Sequence, residues 1–286
     1  MEPIMIILYG DQLLKREQVH VDIEDRAYQF GDGIYEVIRI YDGQPFHMQD
    51  HLDRLEKSAK KIRISLPYEL DHLEALLKEL IRQNDFTQGN LYLQVSRGTA
   101  PRNHAFPKNI SPVIIAYTQP FERPIKEQTE GIRAKTVNDV RWLLCDIKSL
   151  NLLGAVLAKQ EAYDHDCKEA ILVRDGMVTE GSSTNIFIVK DGILQTHPAN
   201  QLILHGITRK ITLQLADQLQ IPVKETAFDR SALFEAGEMF LTSTTMEICP
   251  IIQVDGQPVG NGKPGKITRR LQKAFVQSIS SNSKRQ

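Results

Sequence analysis

The sequence predicts a chain of two domains with mixed α and β structure. Period-two alternation of apolar residues predicts strands at 4–9 and 34–41, and apolar residues at helical spacing predict helices between strands. A stretch at 119–126 carries two prolines and several charges, which is typical of an interdomain linker. The expected division is therefore a domain over 1–118, a linker over 119–126 and a second domain over 127–286. The expected fold class is α+β or mixed α/β.

The first domain is expected to place two helices on one face of a sheet. Apolar residues spaced by four and three line one face of the first helix; they are Met48, Leu52, Leu55, Ala59 and Ile62. The second helix is expected over 69–84. Two further strands are expected at 91–96 and 113–118, which completes the pattern of an α+β unit.

The second domain is expected to be rich in strands, with helices between them. The predicted strands are 171–173, 185–189, 193–196 and 239–242, and the predicted helices are 152–165, 207–219 and 266–279. The pairs Asp175-Gly176 and Asp191-Gly192 predict tight hairpins, because type I′ turns need a positive φ at both central positions. The tail at 278–286 is polar, and no function is assigned to it.

The composition argues against several classes of partner. Lysine and arginine number 35 against 36 acidic residues, so there is no electrostatic footprint for nucleic acid or anionic membrane. No apolar run approaches the roughly 18 residues of a membrane helix, and residues 1–11 read as a first strand rather than a signal peptide. Three scattered cysteines predict free thiols in a reducing compartment. A cytoplasmic protein that binds small molecules or another protein is expected.

Several common motifs are absent or incomplete. The three cysteines have no metal-ligand spacing, so no metal is expected. Gly31-Asp32-Gly33 lacks the third glycine of a dinucleotide-binding loop and precedes a strand. The S-x-x-K pattern at 58–61 matches serine acyl-enzymes, but Ser58 is expected on the charged side of its helix and the partner motifs are missing.

One lysine has a sequence context that suits covalent chemistry. Lys148 lies in the segment CDIKSLN at 145–151, at the start of an apolar run. Apolar neighbours reduce solvation, which favours the neutral amine that a Schiff base requires. A surface lysine that extends its ammonium into water is the alternative.

Four polar segments could bind anionic or cationic groups of a ligand. Glu180 lies in TEGSSTN between two strands, with an ordinary polar hairpin as the alternative. The segment 205–209 opens a helix and 242–245 is rich in hydroxyls, so the two could share a phosphate or each be a simple N-cap. The loop 97–104 contains arginines beside a histidine, which suits a carboxylate, although most loop arginines are only solvated.

Taken in order, the segments CDIKSLN, TEGSSTN, HGITR and TSTT resemble those of the fold-type IV pyridoxal-phosphate enzymes, the branched-chain-type aminotransferase family. The resemblance covers the chain from about residue 10 to about 270. Within the family, DRAYQFGDGIYE at 25–36 and PRNH at 101–104 resemble the D-amino-acid aminotransferases. The lysine segment alone would also fit branched-chain L-aminotransferases, 4-amino-4-deoxychorismate lyases and R-selective amine transaminases.

The resemblance implies a cofactor, pyridoxal 5'-phosphate, and a role for each matching residue. Lys148 would form the Schiff base and move the proton, and Glu180 would contact the pyridine nitrogen. The phosphate would be held by a set of polar and backbone groups: Arg54, Ile207, Thr208, Ser243 and Thr244. Asp50 lies four residues before Arg54, so a helix-surface ion pair is a local alternative for that arginine.

The resemblance also implies the substrate and the assembly. Tyr35, Arg102 and His104 would bind the substrate carboxylate, with D-amino acids and 2-oxo acids as substrates. In relatives the loop of Arg102 reaches the site of a neighbouring subunit, which implies a homodimer. The alternatives are another reaction of the same fold, such as L-transamination, R-amine transamination or a lyase reaction, and a protein that binds the cofactor without turnover.

Overall fold

The computed structural model describes residues 5–282, with side chains to residue 280. The chain divides into two compact units: Met1–Glu122 with Ile147–Asn151, and Arg123–Asp146 with Leu152–Gln286. The division after Glu122 lies inside the predicted linker. The segment Ile147–Asn151, which the sequence placed in the second domain, groups with the first unit because its backbone pairs with the strand that contains Gly33 and Tyr35.

Within the described residues, the first unit contains one six-stranded antiparallel sheet in the order β2-β1-β6-β5-β3-β4. The strands are β1 Ile6–Tyr9, β2 Gln12–Lys15, β3 Gly33–Tyr41, β4 Gln44–Pro45, β5 Gly89–Ser96 and β6 Val113–Pro120. The helices are α1 Arg26–Phe30, α2 Met48–Lys61 and α3 Leu70–Gln83, with a 3-10 turn at Arg16–Gln18.

The core of the first unit lies between α2, α3 and one face of the sheet, as the sequence predicted. Met48, Leu52, Leu55 and Ala59 on α2 are buried against apolar residues of the sheet. Ile62 follows the last residue of α2 and is only partly buried. The helices and the strands at 34–41, 91–96 and 113–118 are confirmed to within a few residues. Residue 4 of the first predicted strand lies outside the described residues.

The second unit contains a nine-stranded mixed sheet, counted over the part of the chain that the structure describes. Its order is β12-β11-β10-β13-β14-β7-β8-β9, with β15 paired to β14. The strands are β7 Ile132–Asn138, β8 Glu169–Arg174, β9 Met177–Gly181, β10 Asn185–Lys190, β11 Ile193–Thr196, β12 Val223–Glu225, β13 Glu238–Ser243, β14 Glu247–Val254 and β15 Gln257–Pro258. The helices are α4 Ile125–Glu130, α5 Leu153–Asp164, α6 Ile207–Gln218, α7 Ala232–Glu235 and α8 Lys266–Asn282.

The predicted strands and helices of the second unit are confirmed, and two central strands were missed. β7 and β14 pair in parallel with each other, and β7 pairs in parallel with β8. β14 contains Pro250, which is unusual in a strand and hides the pattern. Helices α6 and α8 pack against β13 and β14, and α5 packs against β7 and β8.

The predicted hairpin turns have the expected backbone. Asp175 and Gly176 have φ values of 50° and 78°, and Asp191 and Gly192 have 51° and 77°. Glycine at the second position accommodates the left-handed conformation without a Cβ penalty. These turns join β8 to β9 and β10 to β11.

The structure also bears on the expectations for the cysteines, for membrane helices and for the polar tail. All three cysteines are free thiols, as expected. No helix within residues 5–282 is both long and apolar enough to cross a membrane. Within the polar tail, α8 extends to Asn282, and residues 283–286 lie outside the described part of the chain.

Candidate active site

In the first unit, Lys148 is held against β3 by its own backbone. The amide of Tyr35 donates to the carbonyl of Lys148 at 3.0 Å, and the amide of Leu150 donates to that of Gly33 at 3.0 Å. The neighbouring Ile147 is buried in the core of this unit. Lys148 is half-buried, and its Nζ lies 4.1 Å from the centroid of the Tyr35 ring. The segment therefore presents the amine on a fixed backbone rather than on a mobile loop.

The serine of the S-x-x-K pattern at 58–61 has a structural role. Ser58 is buried, so its expected place on the charged side of α2 is wrong. Its Oγ accepts a hydrogen bond from the amide of Lys148 at 3.3 Å. The sequence missed this contact because Ser58 and Lys148 are 90 residues apart.

A buried carboxylate holds an arginine and a histidine side chain of α2 in place near this segment. Glu36 on β3 accepts from Nε and Nη2 of Arg54, each at 2.7 Å, and its Oε2 lies 2.7 Å from Nδ1 of His51. Burial opposes ionisation of Glu36, but Arg54 and then His51 outweigh it and lower the pKa of Glu36 to about 2. Burial lowers the pKa of His51 despite Glu36. Because an ionised carboxylate can only accept, the Nδ1–H of His51 is the donor in this contact. The Arg54 guanidinium is consequently fixed in its plane.

The tyrosine predicted to bind substrate lies on the opposite face of the sheet from the α2 side chains that form the core. The ring of Tyr35 stacks on Tyr92 at 5.9 Å, and Tyr92 lies 5.1 Å from Tyr117. Burial raises the pKa of Tyr92, so this phenol stays neutral. The structure thus brings Tyr35 and Lys148 together.

The predicted carboxylate loop is anchored at α1. Arg26, which is buried, donates from Nη1 to the carbonyl of Asn103 at 2.6 Å and from Nε to Asp32 at 2.7 Å. The guanidinium of Arg102 lies 5.0 Å and the ring of His104 lies 5.4 Å from the ring of Phe30. Both side chains are exposed, and they contact Phe30 rather than the ring of Tyr35.

In the second unit, Glu180 is a buried acceptor with three partners. Nη1 of Arg141 donates to Oε1 at 2.6 Å, while Nδ2 of Asn185 and the amide of Leu204 each donate to Oε2 at 3.0 Å. Burial raises the pKa of Glu180 to about 7, against the lowering effect of Arg141. Asn185 was part of the quoted TEGSSTN segment without a role, and Arg141 was missed. Arg141 lies two residues after Asp139, and this neighbouring acidic residue was the local signal that the sequence offered.

The predicted anion-binding turns lie at the start of α6 and the end of β13. Gly206 is the N-cap of α6, and no side chain among the described residues caps it, so the side-chain N-cap alternative does not apply there. A Cβ at Gly206 would lie 2.1 Å from Oδ1 of Asn185, so a larger residue there would displace this side chain. Ile207 and Thr208 are buried in the first turn of the helix, where backbone N–H groups have no intrahelical partner. Ser243 ends β13, and its Oγ accepts from the amide of Met246 at 3.0 Å.

These groups fit a pyridine-type cofactor with a phosphate. A carboxylate has about four acceptor positions, and the three donors to Glu180 leave one on Oε1 for a further N–H. The uncapped start of α6 and the hydroxyls at 243–245 suit a phosphate. In residues 5–282, no group of three histidine, cysteine or acidic side chains could hold a metal ion.

Comparison with known proteins identifies the family. The model of the family described as Amino-transferase class IV matches residues 33–254. The chain is 48% identical over 279 residues to the D-alanine aminotransferase of Bacillus licheniformis, and the match covers 98% of this chain and 99% of that one.

Two solved structures of branched-chain amino acid aminotransferases also match. The Escherichia coli enzyme has a TM-score of 0.91 at 30% identity, with 96% of this chain and 94% of that one covered. The Thermobaculum terrenum enzyme, solved in its PLP-bound holo form, has a TM-score of 0.86 at 27% identity, with 98% of this chain and 95% of that one covered.

The chain therefore belongs to the class IV aminotransferases. The resemblance, the two-domain fold-type IV class and the pyridoxal 5'-phosphate cofactor predicted from the sequence are confirmed. The roles of the individual site residues stay predictions.

Proposed function

We propose that this chain transfers the amino group of D-alanine to 2-oxoglutarate and yields pyruvate and D-glutamate. The observation that carries the proposal is the identity of 48% with a D-alanine aminotransferase over nearly the whole of both chains. Identity with the two branched-chain enzymes is lower, at 30% and 27%, although their fold is the same. The D-amino-acid reaction is therefore favoured over L-transamination by the same fold.

Pyridoxal 5'-phosphate, when bound, supplies the electron sink that stabilises the charge left when the substrate Cα–H bond breaks. In this proposal Lys148 holds the cofactor through Nζ and takes up the proton that leaves Cα, acting as a general base. The backbone pairing of this segment to Gly33 and Tyr35 supports this role, because a fixed backbone keeps the amine of the base in a defined position. Glu180 would accept a hydrogen bond from the ring nitrogen at its remaining position on Oε1.

The phosphate is proposed to bind where donors are already oriented. Ile207 and Thr208 offer backbone N–H groups at the start of α6, and Ser243 and Thr244 offer hydroxyl and backbone groups after β13. Arg54 adds positive charge, and its bidentate contact with Glu36 keeps the guanidinium from rotating. These contacts do no chemistry themselves but fix the position of the reacting ring.

Substrate handedness is proposed to come from the carboxylate-binding residues. Tyr35, Arg102 and His104 hold the substrate carboxylate on the side that presents the Cα–H of a D-amino acid to Lys148. Arg102 and His104 are exposed in the single chain, and this supports a role in the site of a second copy. A cytoplasmic location is also part of the proposal, favoured by the three free thiols and testable by cell fractionation.

A homodimer is further supported by exposed apolar side chains in the second unit. They include Val140 at 69% exposure, Leu143 at 63%, Leu153 at 71%, and Val156 and Leu157 at 57% each. Exposed apolar side chains concentrated in a short stretch of chain are typical of an association surface. A second copy of the chain is the proposed occupant.

The stereochemical proposal is tested with both alanine enantiomers on wild type and on Arg102→Ala. We expect D-alanine to be used at least about a hundredfold faster than L-alanine, because mispairing an arginine–carboxylate contact costs several kcal/mol. Arg102→Ala should lose most of the D-alanine rate while still binding the cofactor. A preference of wild type for L-alanine would replace the proposal with a branched-chain-type L-aminotransferase.

The assembly is tested by mixing two variants of low activity. Lys148→Ala lacks the base and Arg102→Ala lacks the carboxylate contact, so a mixed dimer should regain one complete site when subunits exchange. Each variant incubated alone is the control and should stay at its own low rate. Sedimentation of an active species at the mass of one chain, 32.5 kDa, would contradict the homodimer.

A further inference from the structure

Arg141 connects two buried carboxylates of the second unit. Its Nε and Nη2 donate to Oδ1 and Oδ2 of Asp139, each at 2.9 Å, and its Nη1 donates to Oε1 of Glu180 at 2.6 Å. The Arg141 side chain is 12% exposed, that of Asp139 is fully buried and that of Glu180 is 5% exposed. One edge of the guanidinium is thus committed to Asp139, and the remaining nitrogen is aimed at Glu180.

Asp139 is itself held in place, so Arg141 has little freedom to turn. Thr179 donates from Oγ1 to Oδ2 of Asp139 at 2.9 Å, and Nη2 of Arg174 lies 3.1 Å from Oδ1. Arg174 also donates to the carbonyl of Arg141 at 2.8 Å. A guanidinium in a bidentate contact with a fixed carboxylate loses its rotational freedom and keeps a defined direction for its other donors.

Among the described groups that face Glu180, Arg141 carries the positive charge. Asn185 and the amide of Leu204 are neutral donors, the Cys145 thiol is a nearby neutral group, and Asp139 repels a second negative charge. Arg141 supplies the positive charge that opposes burial. If Glu180 took up a proton itself, it could not balance a protonated ring nitrogen.

We propose that Arg141 is a positioning residue for Glu180: it favours the ionised form of this carboxylate and orients it so that one acceptor position on Oε1 stays open for the cofactor's ring nitrogen. The inference rests on the role proposed above for Glu180. Arg141 touches neither substrate nor cofactor in this scheme and acts only through Glu180.

The first test titrates Glu180 in cofactor-free protein, so its result does not depend on enzymatic activity. The infrared band of the protonated carboxyl is assigned by its loss in Glu180→Gln and followed with pH. Arg141→Gln should raise the midpoint by at least about one pH unit, because a neighbouring opposite charge shifts a carboxyl by one to three units. Arg141→Lys retains the charge and should stay nearer to wild type. Arg230→Gln, which loses an exposed charge paired with Asp255, should leave the midpoint unchanged.

The second test uses holoenzyme and D-alanine. Arg141→Gln should lower kcat about a hundredfold near neutral pH, with a smaller change in KM, and part of the loss should be recovered at higher pH as Glu180 ionises. Arg141→Lys should lower kcat less and show no such recovery, because it loses the fixed orientation but not the charge. Arg230→Gln should keep the wild-type pH profile.

The outcomes separate the inference from the proposed function. An unchanged Glu180 midpoint in Arg141→Gln, or a kcat loss equal at every pH, would show that Arg141 is only structural. If Arg141→Gln does not fold, Arg141→Lys decides, since wild-type kcat in that variant overturns the orienting role. Wild type without aminotransferase activity would overturn the proposed function and leave the titration result valid.

Discussion

Glu36 in the first unit and Glu180 in the second are both buried glutamates paired with an arginine, yet they have opposite acid–base behaviour. The pKa of Glu36 is lowered to about 2, and the pKa of Glu180 is raised to about 7. Burial opposes ionisation of both carboxylates. The difference must therefore come from how each arginine is shared.

Arg54 gives two N–H groups to Glu36, and His51 adds a third contact on the same carboxylate. Arg141 gives two of its N–H contacts to Asp139 and only one to Glu180, while Asp139 adds repulsion. A carboxylate that receives a bidentate arginine is stabilised more strongly than one that shares its arginine with another acid. The number of charged donors, rather than burial, therefore distinguishes a structural carboxylate, Glu36, from one that suits a cofactor, Glu180.

The largest expected effect is on stability, from Glu36→Gln. The substitution removes the counter-charge that Glu36 supplies to Arg54, and we expect a loss of about 3–5 kcal/mol in the free energy of unfolding at neutral pH. Urea unfolding of the cofactor-free protein measures it. The control is Glu79→Gln, because Glu79 also binds its arginine, Arg82, through both oxygens and has a pKa of about 2, but its side chain is 37% exposed. Its urea midpoint should not change.

The pH dependence of this effect has a fixed sign. The folded pKa of Glu36 is below its ordinary value of 4.5, so its stabilisation is present above about pH 4.5 and is lost as pH falls toward 2. The gap between wild type and Glu36→Gln should be constant from pH 8 to 5 and shrink below that. A gap that widened on acidification would contradict the pairing.

A smaller effect of opposite sign is expected for Glu180→Gln in cofactor-free protein. The folded pKa of Glu180 is above 4.5, so stability linked to its protonation is complete below about pH 4.5 and is lost as pH rises through about 7. Because glutamine does not titrate, the stability of the variant relative to wild type should rise across this window by about 3 kcal/mol.

Urea unfolding at several pH values measures this slope, and Glu235→Gln serves as the control. Glu235 is exposed and paired with Lys190, so its variant should run parallel to wild type. Parallel curves for Glu180→Gln would mean that Glu180 is ionised over the whole pH window, and the two buried glutamates would then have the same charge state.

Local periodicity explains which elements could be predicted. α2 and α3 repeat an apolar face every three to four residues, and the Asp-Gly turns need only two residues, so both were readable from the sequence. β7 and β14 pair in parallel across more than a hundred residues of chain, and Pro250 interrupts the second of them. Parallel pairing has no local signature, which is why these strands were missed.

By itself the sequence determined the family and the cofactor, and it marked Lys148 and Glu180 as candidate site residues, because these inferences depend on residue types in short ordered segments. Only the tertiary structure decided the partners: Glu36 with Arg54, Ser58 with Lys148, and Arg141 with Glu180. The members of these pairs are 18, 90 and 39 residues apart. The charge state and the orientation of these side chains depend on groups that folding brings within hydrogen-bond distance. The spacing of residues along the chain does not give those distances.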